Sequence, residues 1–305
     1  MNIIKRRYLF FLISLIVIIP GMVALLVWKL PLAIDFTGGS MLEIQFPSGN
    51  VPSTADTVAV YEDLGFGAPQ VQSSENNSLI IRSIQLEEEN KTSVVTRLAD
   101  VSKDQPVILR FDTVGPSIGK EVAARAASAV GLAAFFILIY ITFAFRGVPH
   151  AFRFGTAAII AMLHDILVIV GIEAILCHFL GWEVDSLFLT ALLTVIGFSV
   201  HDTIVVFDRI RENSGIYRKL PFETVVNHSI VQTMDRSINT SLTVMLTLLA
   251  LTLFGGVTIR HFVLILLIGV FSGTYSSIFN ASPILVVWEN QEWKTWFKRK
   301  GSLSA

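Results

Sequence analysis

Ionisable side chains lie inside apolar stretches of this sequence, and they are the residues best suited to chemistry. Asp202 and its neighbour His201 lie within one such stretch, Asp165 and His164 lie within another, and Arg236 stands at the start of a third. An ionisable group at the centre of a membrane-spanning helix costs about 2.5–3.5 kcal/mol on insertion scales, and such groups usually face a bundle interior. These residue types and positions indicate proton binding or transfer within a membrane.

The residues that follow Arg236 share a helix face with it. Thr240, Thr243 and Thr247 come at intervals of four, three and four residues, which places their side chains on one face. Hydroxyl groups also hydrogen-bond between packed helices, so a packing seam is the alternative to a role in proton relay. For Asp202 a functional role is favoured, because a buried ionisable group needs compensation.

The His164–Asp165 pair is open to two interpretations. Asp165 lies about ten residues into its apolar stretch, roughly 15 Å at the rise of an α-helix, and so near the membrane midplane. A hydrogen bond to a neighbouring helix and a proton relay fit this position equally well. A metal site built from His164, His201 and a carboxylate would need a spacing such as His-Glu-x-x-His, which the sequence lacks. We therefore expect neither a metal nor another cofactor.

The composition is that of a membrane protein. Of the 305 residues, 53% are hydrophobic and 15% charged, whereas soluble proteins carry about 25% charged residues. The net charge of −1 gives no sign of nucleic-acid binding, and the single cysteine, Cys177, excludes a disulfide framework. Six stretches reach the roughly 20 apolar residues that a bilayer requires. They are Tyr8–Trp28, Ala126–Phe145, Gly155–Cys177, Ser186–Phe207, Ser237–Gly256 and Phe262–Ser282.

The segment 29–120 is too polar to span and is predicted to form a small domain outside the cytoplasm. Its periodicity alternates between strand and helix in the order β-α-β-β-α-β, the split ferredoxin-like arrangement. It contains no His or Cys, so a binding or coupling role is predicted rather than catalysis. The predicted elements are Ser40–Phe46, Ser53–Leu64, Pro69–Ser74, Ser78–Ile84, Glu87–Val101 and Pro106–Val114.

Positive charge in the short connections predicts the orientation. Lys and Arg are concentrated before the first span, after the second, after the fourth and after the sixth, whereas the opposite short connections contain only Arg260. Because loops rich in Lys and Arg face the cytoplasm, both termini are expected there. The predicted organisation is an N-terminus and first span over 1–28, an outside domain over 29–120, five further spans over 121–288 and a basic cytoplasmic tail over 289–305.

Two glycine-containing motifs border the predicted outside domain. In the first, which begins at Asp35, Gly38 and Gly39 permit a tight turn. In the second, Gly115 and Pro116 break the last strand before the next span. A turn or hinge without a ligand is the simplest interpretation of both.

Four local patterns resemble the SecD/SecF family of membrane subunits of the Sec preprotein translocase, within the resistance–nodulation–division (RND) superfamily. The first pattern is shared with the SecD branch, the third and fourth favour the SecF branch, and the similarity covers nearly the whole chain. One departure is His201, where the family often has Asn. The patterns are Asp35–Gly39, Val114–Gly119, Ile196–Asn213 and Arg236–Ser241.

The resemblance implies a fold and a set of partners. The fold is a polytopic α-helical membrane protein with six transmembrane helices, half of an RND-type transporter, and one ferredoxin-like domain outside the cytoplasm. SecD would supply the other half, and SecYEG, YajC and, indirectly, SecA would join in moving unfolded preproteins. The expected location is the cytoplasmic (inner) membrane of a bacterium, among its lipids. The energy source would be the proton gradient, with no cofactor.

Within this resemblance Asp202 is expected to carry the proton and Arg236 to be its switchable partner. Near Arg236 the carboxylate stays ionised, whereas away from it in an apolar bundle it takes a proton. One charge crossing 100 mV supplies about 2.3 kcal/mol, enough to bias a conformational equilibrium and move the outside domain. His164, Asp165, His201, Thr240 and Thr243 are candidates for relay or structural roles.

Two alternatives remain. The chain is a passive scaffold subunit if Asp202 and Arg236 form only a structural ion pair. It is a membrane-embedded enzyme if His164, Asp165, His201 and Asp202 act together in hydrolysis.

Overall fold

The computed structural model describes residues 2–74, 76–147, 150–292 and 294. It divides into two compact units, one formed by Met1–Pro31 with Ala129–Ala305 and the other by Leu32–Ser128. Most of the predicted basic tail, residues 295–305, lies outside the described residues. The helices and strands are, in chain order, α1 (Arg7–Trp28), α2 (Ile34–Thr37), β1 (Gly39–Gln45), α3 (Thr54–Asp63), β2 (Gln70–Ser74), β3 (Ser78–Ser83), α4 (Glu88–Ser102), β4 (Val107–Val114), α5 (Pro116–Ala144), α6 (Ala151–Leu180), α7 (Ser186–Ile216), α8 (Phe222–Phe254), α9 (Val257–Ser276) and α10 (Ser282–Glu289).

Within the described ranges, six helical stretches are long and apolar enough to cross a membrane, which confirms the predicted number of spans. Five are α1, α5, α6, α7 and α8, and the sixth runs from Ile259 to Glu289 through α9 and α10. Several helices are longer than the apolar runs that predicted them, because their polar ends continue the same helix. The clearest case is α8, which begins at Phe222, well before its apolar run.

The sixth stretch is not a regular α-helix throughout. The segment Ser277–Ala281 is π-helical and joins α9 to α10. Such segments occur as single turns inside α-helices and are frequent at functional sites. Here the segment brings Ser276 and Ser277 to buried positions in succession.

The bundle is packed most tightly around α6, α7 and α9, whereas α5 and α8 expose most of their surface. Small residues allow the close approach of helices. At the crossing of α1 and α6, a Cβ atom on Gly171 would lie 2.8 Å from the Cα of Gly21. At the crossing of α7 and α9, a Cβ atom on Gly273 would lie 3.0 Å from the Cβ of Ser199.

The unit Leu32–Ser128 contains a four-stranded antiparallel sheet in the order β2-β3-β1-β4. With α3 and α4 as the two crossovers, this is the strand order of the predicted βαββαβ arrangement. Side chains from the central strands and both helices form its core, and Ser53 caps α3 by accepting a hydrogen bond from the Asp56 amide at 3.1 Å. The core includes Leu42, Ile44, Phe46, Tyr61, Leu79, Ile81, Val94 and Leu98.

Candidate functional site

Among the residues that the structure describes, three carboxylate side chains are buried within the helix bundle. Asp165 and Glu173 belong to α6 and are 1% and 0% exposed, and Asp202 belongs to α7 and is 7% exposed. Asp165 and Asp202 are residues that the sequence predicts as sites. Glu173 is not among the predicted sites, although it is, like Asp165, an acidic residue within the predicted third span and so carries the same signal.

The carboxyl group of Asp202 is only half satisfied. Its Oδ1 accepts a hydrogen bond from the Ser237 hydroxyl of α8 at 2.6 Å. Its Oδ2 is buried and has no hydrogen-bond partner in the described part of the chain. Because an unpaired charge is costly in such a place, this oxygen is suited to hold a proton.

Arg236 does not contact Asp202 in the structure. Its side chain is exposed, and no ion pair or hydrogen bond joins it to Asp202 within the described part of the chain. Ser237, the next residue of α8, occupies that contact instead. The expected ion pair is therefore not formed in this conformation.

The sequence predicts a stripe of α8 that consists of Arg236, Thr240, Thr243 and Thr247. The face of α8 that turns inward is one residue away from this predicted stripe. Thr240 and Thr243 are exposed, and the Thr243 hydroxyl donates to the Asn239 carbonyl of its own helix at 2.8 Å. From Arg236 onward, the buried positions of α8 are instead Ser237 and Ser241, one helical turn apart. The predicted stripe consequently lies on the outside of this bundle, and His201 of α7 is exposed too.

Asp165 is the most highly connected of the three carboxylates. Its Oδ2 accepts hydrogen bonds from the hydroxyls of Ser199 and Ser276, both at 2.6 Å. Its Oδ1 accepts one from Ser272 at 2.8 Å and lies 3.1 Å from His164 Nδ1. A carboxylate only accepts hydrogen bonds, so these donors satisfy both of its oxygens. The contacts join α6, α7 and α9.

Buried hydroxyl groups continue from Asp165 toward Asp202. The Ser277 hydroxyl donates to the Ser199 carbonyl at 3.1 Å and lies 2.9 Å from the Thr203 hydroxyl. Thr203 is the neighbour of Asp202 on α7, and Ser199 is three residues before it. Ser199, which contacts Asp165, therefore lies about one helical turn from Asp202 along α7. The hydrogen bonds of Ser277 and Thr203 lie between them but do not reach the Asp202 carboxyl group among the described residues.

Glu173 has a different set of partners. Its Oε1 lies 2.8 Å from His261 Nε2 of α9 and accepts a hydrogen bond from the Cys177 thiol at 3.2 Å. Its Oε2 is buried without a partner. No group of three His, Cys, Asp or Glu side chains that could hold a metal ion is found in the described ranges.

The two glycine motifs pack against each other within the unit Leu32–Ser128. Asp35 lies in the first turn of α2, and Gly38 follows that helix with a φ of 76°. A Cβ atom on Gly38 would lie 2.6 Å from the Cα of Pro116, the first residue of α5. A Cβ atom on Gly119 would lie 2.8 Å from the Gly38 nitrogen. Backbone approach therefore requires glycine at these two positions.

The other two glycines have distinct local roles. Gly39 begins β1 with a φ of 123°, and a Cβ atom there would lie 2.6 Å from the Ser83 carbonyl oxygen. Gly115 precedes α5 and accepts a hydrogen bond from the Gly119 amide at 3.0 Å. The interpretation of these motifs as a hinge stays a prediction.

Comparison with known proteins relates this architecture to protein export. A family model described as "Protein export membrane protein SecD/SecF, C-terminal" matches residues 93–291. The protein translocase subunit SecF of Anaerolinea thermophila is 57% identical over 98% of this chain and 97% of its own length. The SecF subunit of Thermobaculum terrenum is 49% identical, with the same coverage of both chains.

Longer proteins contain the same architecture as one part. The protein translocase subunit SecDF of Bacillus subtilis is 36% identical over 95% of this chain, which spans 38% of that protein. A crystal structure of SecDF, a translocon-associated membrane protein from Thermus thermophilus, matches with a TM-score of 0.81 and 31% identity. It covers 95% of this chain, which spans 39% of that one.

Proposed function

The chain belongs to the SecD/SecF family of protein-export membrane proteins, and from this premise we propose that it is a SecF subunit that uses the proton-motive force to assist preprotein export. The export role is supported by the full-length match to translocase subunits. The observation that carries the proton step is the carboxyl group of Asp202, which is buried and has one oxygen without a partner.

SecD supplies the second half of the transporter in this proposal. The SecDF relative is named as one translocase subunit and is more than twice as long as this chain's match to it. The exposed face of α8 supports a helical partner, because Arg236, Thr240 and Thr243 lie on it. An Arg that faces lipid costs about 2.5–3.5 kcal/mol on insertion scales. The SecD half of the transporter would cover the Arg236 side chain and so avoid this cost.

A change of partner at Asp202 couples protonation to movement of α8. Ser237 now holds the carboxyl group, and Arg236 is the adjacent residue of the same helix. Consecutive residues point about 100° apart around a helix axis. Loss of the proton would favour contact with Arg236, which requires α8 to rotate or tilt, and proton binding would return it to Ser237.

The remaining parts of the proposal concern energy and partners. One charge crossing 100 mV supplies about 2.3 kcal/mol. This energy moves the outside domain, and the domain holds or releases the emerging preprotein. SecYEG, YajC and, indirectly, SecA are the proposed partners, and unfolded preproteins are the substrates. Both termini face the cytoplasm of a bacterial inner membrane, and the proton gradient replaces any cofactor.

Replacement of Asp202 by Asn tests the proposal. An amide can keep the hydrogen bond from Ser237 but cannot bind and release a proton. We expect the Asp202→Asn variant to co-purify with SecD at normal levels and to lose the stimulation of preprotein export by the proton-motive force. Asp208→Asn is the matched control, because Asp208 is an exposed residue of the same helix paired with Arg211 at 2.6 Å.

Stimulation that survives in the Asp202→Asn variant would reject Asp202 as the carrier and favour the scaffold alternative. That alternative relied on an ion pair between Asp202 and Arg236, which the described residues do not form. Loss of stimulation in the Asp208→Asn control as well would show a general effect of removing charge from α7, and the proposal would fail in that case too.

A further inference from the structure

Glu173 is a completely buried acid that the proposed proton step at Asp202 does not use. It is 0% exposed, lies on α6 and contacts His261 of α9 at 2.8 Å. The side chain of His261 is 16% exposed. The Glu173 Oε2 atom is buried and has no hydrogen-bond partner among the residues described. A buried acid therefore contacts a base that reaches the surface of the bundle.

The elements around Glu173 leave His261 as the group that can compensate its charge. On α6 itself the Cys177 thiol donates to the same oxygen, Oε1, and His178 stacks on Trp28 of α1. In the connection between α6 and α7, Glu183 and Asp185 are acidic, and Asp185 caps α7 by accepting from the Phe188 amide at 2.8 Å. None of these groups brings a positive charge to Glu173.

At the level of Glu173, the residues of the helices packed against α6 are apolar or exposed. The residues of α1 on either side of Gly21, which contacts α6, are apolar. The first turns of α7 after Ser186 contain no ionisable residue. On α9, Arg260 is exposed while His261 points to Glu173. The imidazole is also covered by the Trp182 ring, with 4.6 Å between ring centroids.

The burial of Glu173 and its contact with His261 favour one proton held by this pair. A buried carboxylate beside a neutral imidazole is an uncompensated charge, and such charges are strongly unfavourable inside a protein. Either an imidazolium ion faces a carboxylate or a neutral imidazole faces a carboxylic acid, and both arrangements contain one bound proton. Its removal would leave Oε2 charged and unpartnered.

We propose that Glu173 and His261 form a second proton-binding site of the bundle, placed at the opposite side of Asp165 from Asp202. Glu173 is eight residues from Asp165 along α6, about 12 Å, toward the end that carries the connection to α7. His261 exchanges the proton with the surface, and Glu173 holds it inside. The inference rests on the proposed function, because a second proton site on this side of Asp165 has a role only if Asp202 carries protons through the bundle.

The proton can be observed directly in the full chain co-purified with SecD. Infrared difference spectra recorded between two pH values contain a carbonyl band for each buried carboxyl group that gains a proton. We expect Glu173→Gln to remove one such band and His261→Gln to change its pH dependence. Asp202→Asn should leave this band in place. Arg260→Gln is the matched control, because it alters an exposed neighbour of His261.

Export measurements on the same variants complete the test. Glu173→Gln should lose stimulation by the proton-motive force, and Arg260→Gln should retain it. A spectrum of Glu173→Gln identical to that of the unaltered chain, in both the carboxyl and the imidazole bands, overturns the inference, and so does full stimulation in this variant. If Glu173→Gln does not assemble with SecD, His261→Gln decides by the same two measurements.

The outcomes separate the second site from the proposed function. If Asp202→Asn keeps full stimulation, the proposed function fails at Asp202, whereas the infrared band of Glu173 still reports on the second site. If Asp202→Asn abolishes stimulation and Glu173→Gln does not, the proposed function stands and the second site is rejected.

Discussion

At the residue scale, Asp165 and its serines are the contacts that should matter most for the stability of the bundle. Hydrogen bonds between membrane helices contribute about 0.6 kcal/mol on average and up to about 1.7 kcal/mol. We expect Ser276→Ala to lower the free energy of unfolding in mixed detergent micelles by an amount in that range. Ser128→Ala is the control, because its exposed hydroxyl donates only to the Ala124 carbonyl of its own helix.

The same prediction has a test of coupling. Ser199 and Ser276 both donate to Oδ2 of Asp165, so each affects the other's contact. The double variant should depart from the sum of the two single variants, since residues in one network are coupled. Simple addition of the two effects, or an equal effect in Ser128→Ala, would contradict the network.

Tyr61 gives a prediction for alkaline pH in the unit Leu32–Ser128. Burial raises the pKa of the Tyr61 hydroxyl above its ordinary value. A raised pKa in the folded state means that stability is fully present below the unfolded pKa of about 10 and is lost as the pH rises above it. Tyr61→Phe should remove that loss, measured by far-ultraviolet circular dichroism against pH in the full chain.

The control for this measurement is Tyr217→Phe, which alters a tyrosine of the other unit. It should leave the alkaline unfolding of the sheet unchanged. Alkaline unfolding that persists unaltered in Tyr61→Phe would show that burial of this hydroxyl does not set the limit.

The sequence reveals Asp202 and Asp165 because an acidic side chain in an apolar run is conspicuous. It does not reveal their partners, because Ser237 and Ser276 belong to residue types that fit a packing seam equally well. Which of Ser237 and Arg236 contacts Asp202 depends on how α8 is rotated about its axis against α7, because the side chains of adjacent residues point about 100° apart. Local spacing cannot determine this rotation.

At the element scale, hydropathy and alternation predict the architecture closely. Strands β2 and β3 begin within one residue of the predictions, because a period of two and turn residues at both ends are local signals. The π-helical segment Ser277–Ala281 is not predicted, because its pattern reads as continuous helix. The short helix α2 is also missed, being only four residues long.

The crossing of α1 and α6 gives a prediction about an element pair. A Cβ atom on Gly171 would lie 2.8 Å from the Gly21 Cα, and overpacking of this kind costs about 1–3 kcal/mol. Gly171→Ala should therefore lower the free energy of unfolding in mixed micelles by that order. Gly197→Ala is the matched control, because a Cβ atom there meets nothing within 4 Å.

The control isolates packing from helix propensity, which favours Ala over Gly by about 1 kcal/mol at both positions. Gly197→Ala should be neutral or stabilising. Equal changes in the two variants would show that α1 and α6 separate readily at this crossing.

At the scale of the whole molecule, the contact between Gly38 and Gly119 holds together the two ends of the α+β unit. The chain passes into the sheet through Gly38 and leaves it through α5, which begins at Pro116. Because these backbones touch, the two connections are expected to move as one body. Under the proposed function, this rigid junction would pass a movement of the helices to the whole sheet.

Gly119→Ala tests the junction, since its Cβ atom would lie 2.8 Å from the Gly38 nitrogen and 3.0 Å from the Phe36 carbonyl oxygen. Backbone atoms must shift to accept it, so stimulation of export by the proton-motive force should fall while assembly with SecD persists. Gly131→Ala, on the same helix with nothing within 4 Å, should have no effect. Full stimulation in Gly119→Ala would mean that the movement reaches the domain without a rigid junction, because one flexible connection would then be enough.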